Sequence, residues 1–364
     1  MPADSIIPTI PGVPVNPRDE NMLRQRICNA IGLHGAQPVS FTRLTLKELA
    51  SEDYFVSEKS DGVRVLLYCV VGEDGKQNVY LVDRKNKFSH VQELVFPAPG
   101  NQGLLHETVV DGELVTDMEP DGQQLVRYFA FDLLATNGQS IIDKPLRSRL
   151  ARLQSEFITP YRQMLQNPNI KLAPQPFRVS LKQMELSYGI DKMFFEVIPH
   201  LRHGNDGLIF TSAVAPYIPS TNSKMLKWKP PSENTIDFRL TLESTSNHKP
   251  LFVLHEWLGG QNYSRFGQLT VPDDLWQQWQ STSTELQNRV VEVNYSPSDN
   301  TWRFFRFRDD KEHGNHSSVV QKVVQSIQDG VEREELRQAA PHIRAAWKER
   351  ARIQQMQQQQ QRQF

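Results

Sequence analysis

Residues 58–64 read Glu-Lys-Ser-Asp-Gly-Val-Arg, and the lysine of that run, Lys59, stands between two β-rich stretches at the edge of a glycine turn. Such a turn can hold an amine out at the mouth of a sheet. To attack phosphorus the amine must be neutral, which calls for nearby cations, a divalent metal or desolvation to lower its pKa. Taken alone, KSDG reads first as an ordinary solvated turn. Other groups give it company. In DGELV, Asp111 and Glu113 alternate with Gly112 and fall on one strand face, where two carboxylates suit ribose hydroxyls or a metal; the plain alternative is a turn entering a strand. Asp206 precedes a glycine and an apolar strand, which sets a hard oxygen donor for Mg²⁺ or Mn²⁺ at a sheet mouth unless it is simply a turn residue. Lys227 and Lys229 lie two apart in LKWKP and so share a strand face. That pairing is unfavourable unless an anion such as an α-phosphate sits between them. TWRFFRFRDDK, residues 301–311, alternates arginine with phenylalanine like a half-buried barrel strand with a charged exit.

These residues need sheets to hold them. From Tyr54 to Leu134 the chain repeats short β-rich runs broken by turns, among them YFVSEK, VRVLLYCVV, NVYLVD and QLVRYFAFDLL, which predicts an antiparallel sheet. Helix spacing of Leu146, Leu150, Leu153 and Phe157 predicts a helix after Pro145, and the stretch 179–201 repeats that pattern. DGLIFTS and SKMLKWK add two strands, and Pro230-Pro231-Ser232 is the best interdomain break. Beyond it come five strands with hairpin-like separations, the signature of a small closed sheet such as an OB-fold. The fold class is α+β. The boundaries read as a Pro-rich arm over 1–20, a first domain over 21–234, a barrel over 235–315, C-terminal helices over 316–350 and a Gln-rich tail over 351–364 expected to be unstructured.

Composition sets the limits. At 364 residues two domains are the natural expectation. With 41 Lys and Arg against 42 Asp and Glu there is no global basic field, so any polyanion must be held by a local patch. Cys28 and Cys69 have neither zinc nor disulfide spacing, which points to a reducing compartment. No stretch approaches a membrane-spanning run, and no membrane partner is expected. The histidines lack metal-site spacing and read as structural or surface residues.

KSDGVR (59–64), LVDRKNKF (81–88), DGELV (111–115), FAFDLL (129–134), DGLIF (206–210), MLKWKP (225–230) and WRFFRFRDDK (302–311) follow one another over most of the chain. In that order they resemble the covalent nucleotidyltransferase superfamily of capping enzymes and ATP-dependent ligases. The VDRKN, LKWKP and RFRDDK blocks resemble fungal-type capping guanylyltransferases in particular, and Ser60 stands where many of those carry threonine. The resemblance implies an antiparallel-sheet nucleotidyltransferase domain of ATP-grasp or ligase-like type, followed by an OB-fold β-barrel. It implies that Lys59 takes GMP from GTP with Mg²⁺ or Mn²⁺, expels pyrophosphate, and passes GMP to the diphosphate 5′ end of RNA. Arg64, Arg84 and Glu113 are then implied to contact the sugar or support Lys59, and Phe131 to stack on the base opposite Ile209. By its own composition FAFDLL, with Phe131, is mostly core. Asp206 is implied as the metal ligand, Lys227 and Lys229 as the α-phosphate pair, and Arg308, Asp310 and Lys311 as a cover for the β- and γ-phosphates. The donors that select guanine are not placed. Implied partners are a separate RNA 5′-triphosphatase subunit and the phosphorylated C-terminal tail of RNA polymerase II, with the nucleus as location. Two alternatives stand beside this: an ATP-dependent polynucleotide ligase, and a non-catalytic OB-fold scaffold for single-stranded RNA. Retention of Lys59, Asp206, Lys227 and Lys229 counts against the scaffold.

Overall fold

The strand Val63–Val71 shows how the sequence builds the first unit. Its residues alternate between two cores: Val65, Leu67 and Cys69 pack with the helical layer of Leu153, Phe157, Ile158 and Tyr161, while Leu66, Tyr68 and Val70 pack with Leu23, Ile27 and Ile31 of the helix Pro17–Ile31. Period-two alternation with both sets apolar is what a strand buried on both faces requires. The computed structural model describes residues 6–32, 35–170, 173–244, 249–281 and 285–361. These fall into two units, one of residues 1–40, 45–228 and 337–364 and one of residues 41–44 and 229–336.

The first unit holds two sheets. The larger runs in the order Val13–Pro14, Phe88–Val91, Gln77–Val82, Val63–Val71, Thr108–Met118, Gln124–Thr136 and Arg178–Leu181; the last pair is parallel and the other neighbours are antiparallel. The smaller runs Glu185–Leu186, Tyr54–Ser60, Asn205–Ser212, Ser220–Trp228 and Ala36–Ser40, again with a parallel pair at its end. Tyr54–Ser60 and Val63–Val71 are consecutive in the chain yet belong to different sheets. The Asp61-Gly62 turn is therefore the seam between them. A Cβ on Gly62 would lie 2.3 Å from the Leu114 carbonyl oxygen, so only glycine lets the chain cross that closely.

Three expectations are corrected here. Residues 179–201 are not one helix: Arg178–Leu181 and Glu185–Leu186 join the two sheets and only Ile190–Lys192, Met193–Val197 and Ile198–His200 are helical, because open sheet edges outweigh local propensity. The block 316–350 is divided. Ser317–Asp329 belongs to the second unit, where Val320 completes its core, whereas the helix Arg333–Gln361 runs into the first unit. There Trp347 packs against Tyr188 at 5.4 Å and Arg350 bonds to Asp53. The glutamine-rich tail continues that helix to Gln361, glutamine being a good helix former; residues 362–364 lie outside the described residues, as do residues 1–5 of the arm.

The second unit is a closed five-stranded barrel in the order Thr235–Glu243, Leu251–Gly259, Asn262–Thr270, Thr301–Phe307 and Val290–Ser296. Ile236, Phe238, Leu240, Phe252, Leu254, Val291 and Val293 fill it. Its first strand begins three residues after the Pro230-Pro231-Ser232 break.

Candidate active site

The seam opens into a cleft of about 650 Å³ whose walls include Lys59, Arg64, Arg84, Glu113, Phe131 and Ile209. Each wall residue has a local reason to be there. Across the large sheet Arg64 pairs with Glu113 and Glu113 with Phe129, a row of side chains on one face. Asp111 pairs with Asp132 and Gly112 with Ala130, which leaves Phe131 as the extra residue of a bulge. A bulge re-aims a side chain, and this one turns Phe131 to the cleft. Across the small sheet Ser57, Ile209 and Lys227 form one row, so Lys227 shares the face of Ile209 and, two residues along, of Lys59. Arg84 stands on a turn braced by Asp83, whose Oδ1 accepts from the amides of Lys85 and Lys87, both at 2.8 Å.

Electrostatics separate residues that are already engaged from those that are available. Lys59 Nζ lies 2.5 Å from Asp206 Oδ1. Asp111 is fully buried and taken up by Arg64, with Nε at 2.9 Å and Nη2 at 2.5 Å, and by the Tyr217 hydroxyl at 2.7 Å. It is not the second cleft carboxylate that its spacing with Glu113 predicts, because it anchors Arg64. Arg64 in turn lies 5.2 Å from the centre of the Phe131 ring. Glu113 makes no hydrogen bond or ion pair among the described residues; burial pushes its carboxyl up, Lys182 opposing and Glu58 adding to the effect. Arg84 and Lys227 are exposed.

Sequence reasoning missed a set of buried polar residues behind Lys59. Lys182 bonds to Glu58 and Ser60, and His203 contacts Glu58 at 3.1 Å and Asp117 at 2.8 Å. Burial acts to raise the Glu58 pKa, but Lys182 and His203 overcome it and hold the carboxyl at about 2. Lys182, Glu58 and Ser60 also line the cleft. The only signal in the sequence was Glu58 and Ser60 flanking Lys59; Lys182 and His203 carry none.

Other nominated residues are placed differently. Lys229 does not sit beside Lys227 on the strand, which ends at Trp228 ahead of two prolines. Arg308 contacts Asp237 and Glu292 at 3.2 and 3.3 Å and grips Asp310 through two bonds of 2.9 Å. Lys311 Nζ lies 2.5 Å from Asp237 Oδ2. In the second unit these three therefore form one ion network with buried carboxylates. Among the described residues no three His, Cys, Asp or Glu side chains cluster to hold a metal by themselves.

Residues 7–231 match the family model described as mRNA capping enzyme, catalytic domain, and residues 233–337 match mRNA capping enzyme, C-terminal domain. The mRNA-capping enzyme subunit alpha of Schizosaccharomyces pombe is 41% identical over 358 residues, covering 93% of this chain and 89% of that one. The protein of the same name from Saccharomyces cerevisiae is 34% identical over 407 residues, covering 95% and 88%. A Danio rerio mRNA-capping enzyme is 32% identical over 306 residues, covering 83% of this chain and 48% of that one.

Proposed function

The chain belongs to the mRNA-capping enzyme family, and from that premise we propose how its cleft carries out the nucleotidyl transfer of cap formation. Lys59 Nζ attacks the α-phosphorus of GTP; the N–P bond forms as the bond to the β-bridging oxygen breaks, pyrophosphate leaves, and GMP stays on the lysine as a phosphoramidate. The terminal phosphate oxygen of a diphosphate-ended RNA then attacks the same phosphorus and frees Lys59. Phe131 and Ile209 clamp the base, Arg64, Arg84 and Glu113 hold the sugar side, and Lys227 neutralises charge at the α-phosphate. Asp206 has one oxygen on Lys59 and the other without a partner among the described residues. A single carboxylate completed by nucleotide oxygens fits Mg²⁺ or Mn²⁺, which when bound neutralises phosphate charge.

The observation that carries this reading is the gathering of Lys59, Arg64, Arg84, Glu113, Phe131 and Ile209 on the walls of one cleft. Incubation with each α-labelled nucleoside triphosphate and a divalent cation, followed by denaturing electrophoresis, tests it. GTP should leave acid-labile, alkali-stable label on the wild type and none on a folded Lys59→Ala variant. Equal labelling of that variant removes Lys59 as the nucleophile, and preferential labelling by ATP indicates a ligase.

Guanine selection falls to Lys182. An ammonium only donates, and at position 6 guanine offers an oxygen acceptor where adenine offers an amino donor. Lys182→Ala should therefore narrow the preference for GTP over ATP in adduct formation; an unchanged preference overturns the assignment. The relatives' name, subunit alpha, supports a partner subunit, for which an RNA 5′-triphosphatase is the chemistry needed to supply diphosphate ends. The phosphorylated tail of RNA polymerase II and a nuclear location complete the reading. Co-purification with a triphosphatase, affinity for a phosphorylated tail peptide and nuclear fluorescence of the tagged chain are expected. Failure of any one removes that element alone.

A further inference from the structure

Behind Lys59 lies a chain of buried polar groups that the transfer reaction does not use directly. His203 is buried, and each of its ring nitrogens faces a carboxylate: Nε2 is 3.1 Å from Glu58 Oε1 and Nδ1 is 2.8 Å from Asp117 Oδ1. Ionised carboxylates only accept, so both nitrogens must donate, and only the imidazolium carries two N–H groups. Both carboxylates have further donors, Lys182 on the same Glu58 oxygen as His203 and Arg127 on the other oxygen of Asp117. Glu58 accepts from Lys182 Nζ and, at 3.0 and 3.1 Å, from Ser60 Oγ; Asp117 accepts from Arg127 Nε at 2.7 Å. The Phe129 ring lies against the group, with the His203 ring centre at 5.3 Å and the charges of Lys182 and Arg127 at 5.4 and 5.8 Å. Glu119, 4.0 Å from Arg127 and ion-paired with Arg202, and Glu113 are further charges near it.

We propose that His203 is a positioning residue for nucleobase selection: as an imidazolium it fixes the Glu58 carboxylate, and Glu58 fixes Lys182 and Ser60 on the cleft wall. The proposal rests on the assignment of Lys182 to the base made above. A lysine is a point charge on a flexible stem, and one ion pair alone leaves it free to swing. With Ser60 and His203 on the same carboxylate, the Glu58 oxygens cannot rotate without losing bonds. A neutral ring would instead turn a lone pair towards one of the two carboxylates, and Glu58 would shift or take a proton. Burial favours the neutral ring, but the bonds to Asp117 and Glu58 outweigh it and raise the histidine pKa. Base discrimination, more than phosphate chemistry, should follow the charge on His203.

The test measures adduct formation with α-labelled GTP and ATP in the full chain, for wild type, His203→Gln, Lys182→Ala and the double variant. His203→Gln should raise KM for GTP about tenfold, leave kcat within about twofold and narrow the GTP preference. The double variant should be no worse than Lys182→Ala alone, since the histidine acts only through that lysine. In the wild type the GTP preference should fall as pH rises through the raised histidine pKa, whereas in His203→Gln it stays low and flat. The wild-type pH profile needs no substitution, and Asp117→Asn, which weakens the imidazolium, carries the same expectation should His203→Gln not fold. Losses that multiply in the double variant, or a fall in kcat with the GTP preference intact, overturn the proposal in favour of a structural role. An unchanged preference in Lys182→Ala removes the base-reading assignment and this proposal together; a changed preference there beside an unaffected His203→Gln removes this proposal only.

Discussion

At the residue scale, the two carboxylates of DGELV have opposite fates. Asp111 is buried on Arg64 and Tyr217, while Glu113 has no protein partner among the described residues. Removing one partner of a buried pair leaves the other charge uncompensated, so Asp111→Asn should cost about 3 kcal/mol of stability in urea unfolding. Glu113→Gln should leave the unfolding midpoint unchanged and slow adduct formation instead. Equal destabilisation of the two would show that Glu113 has a structural partner. Glu58 adds a pH dependence. Its folded pKa, about 2, lies below the ordinary 4.5, so its stabilising contribution is fully present above pH 4.5 and is lost as pH falls towards 2. Stability measured over that acid range should be flatter in Glu58→Gln than in wild type.

At the scale of elements, the site depends on strand irregularities more than on strands. The bulge that frees Phe131 lies opposite the Asp111-Gly112 step, and a Cβ on Gly112 would fall 2.2 Å from the buried Tyr128 ring, whose hydroxyl bonds to the Val110 carbonyl at 3.0 Å. Gly112→Ala should therefore overpack the sheet, destabilise the chain by about 1–3 kcal/mol and weaken GTP binding through displaced Glu113 and Phe131. Normal unfolding of that variant would mean that Tyr128 moves aside freely. The strand Ser220–Trp228 makes a second distinction. Lys227 shares the Ile209 face and Lys229 lies beyond the strand, so Lys227→Ala should lower adduct formation by about 10²-fold or more and Lys229→Ala by much less. Equal losses would restore the two lysines as a pair.

At the scale of the whole molecule, each unit has its own core, and the cations of the RFRDDK block are held within the second unit by Asp237, Glu292 and Asp310. If Arg308 and Lys311 act on the β- and γ-phosphates, Arg308→Ala and Lys311→Ala should slow lysyl-GMP formation strongly. Pyrophosphate is absent from the second step, so transfer from pre-formed adduct to diphosphate-ended RNA should stay within a few fold of wild type in a single turnover. Comparable slowing of both steps would give these residues a structural or RNA-binding role.

Local pattern was enough for much of this. Alternation in Val63–Val71 and in the barrel strands is a property of neighbouring residues, and the break at Pro230-Pro231 follows from the missing N–H groups and fixed φ of proline, so the strands and that break were legible from the chain itself, whereas the division of the expected single sheet between Tyr54–Ser60 and Val63–Val71 was not. The ordered blocks likewise nominated Lys59, Arg64, Arg84, Glu113, Phe131 and Ile209, which share one cleft. What the sequence could not show was which polar groups meet inside. Lys182 reaches Glu58 across 124 residues of chain, His203 reaches Glu58 across 145, and Tyr217 reaches Asp111 across 106. Such pairs leave no periodic trace, because their partners are fixed only when the two sheets pack at the Asp61-Gly62 seam.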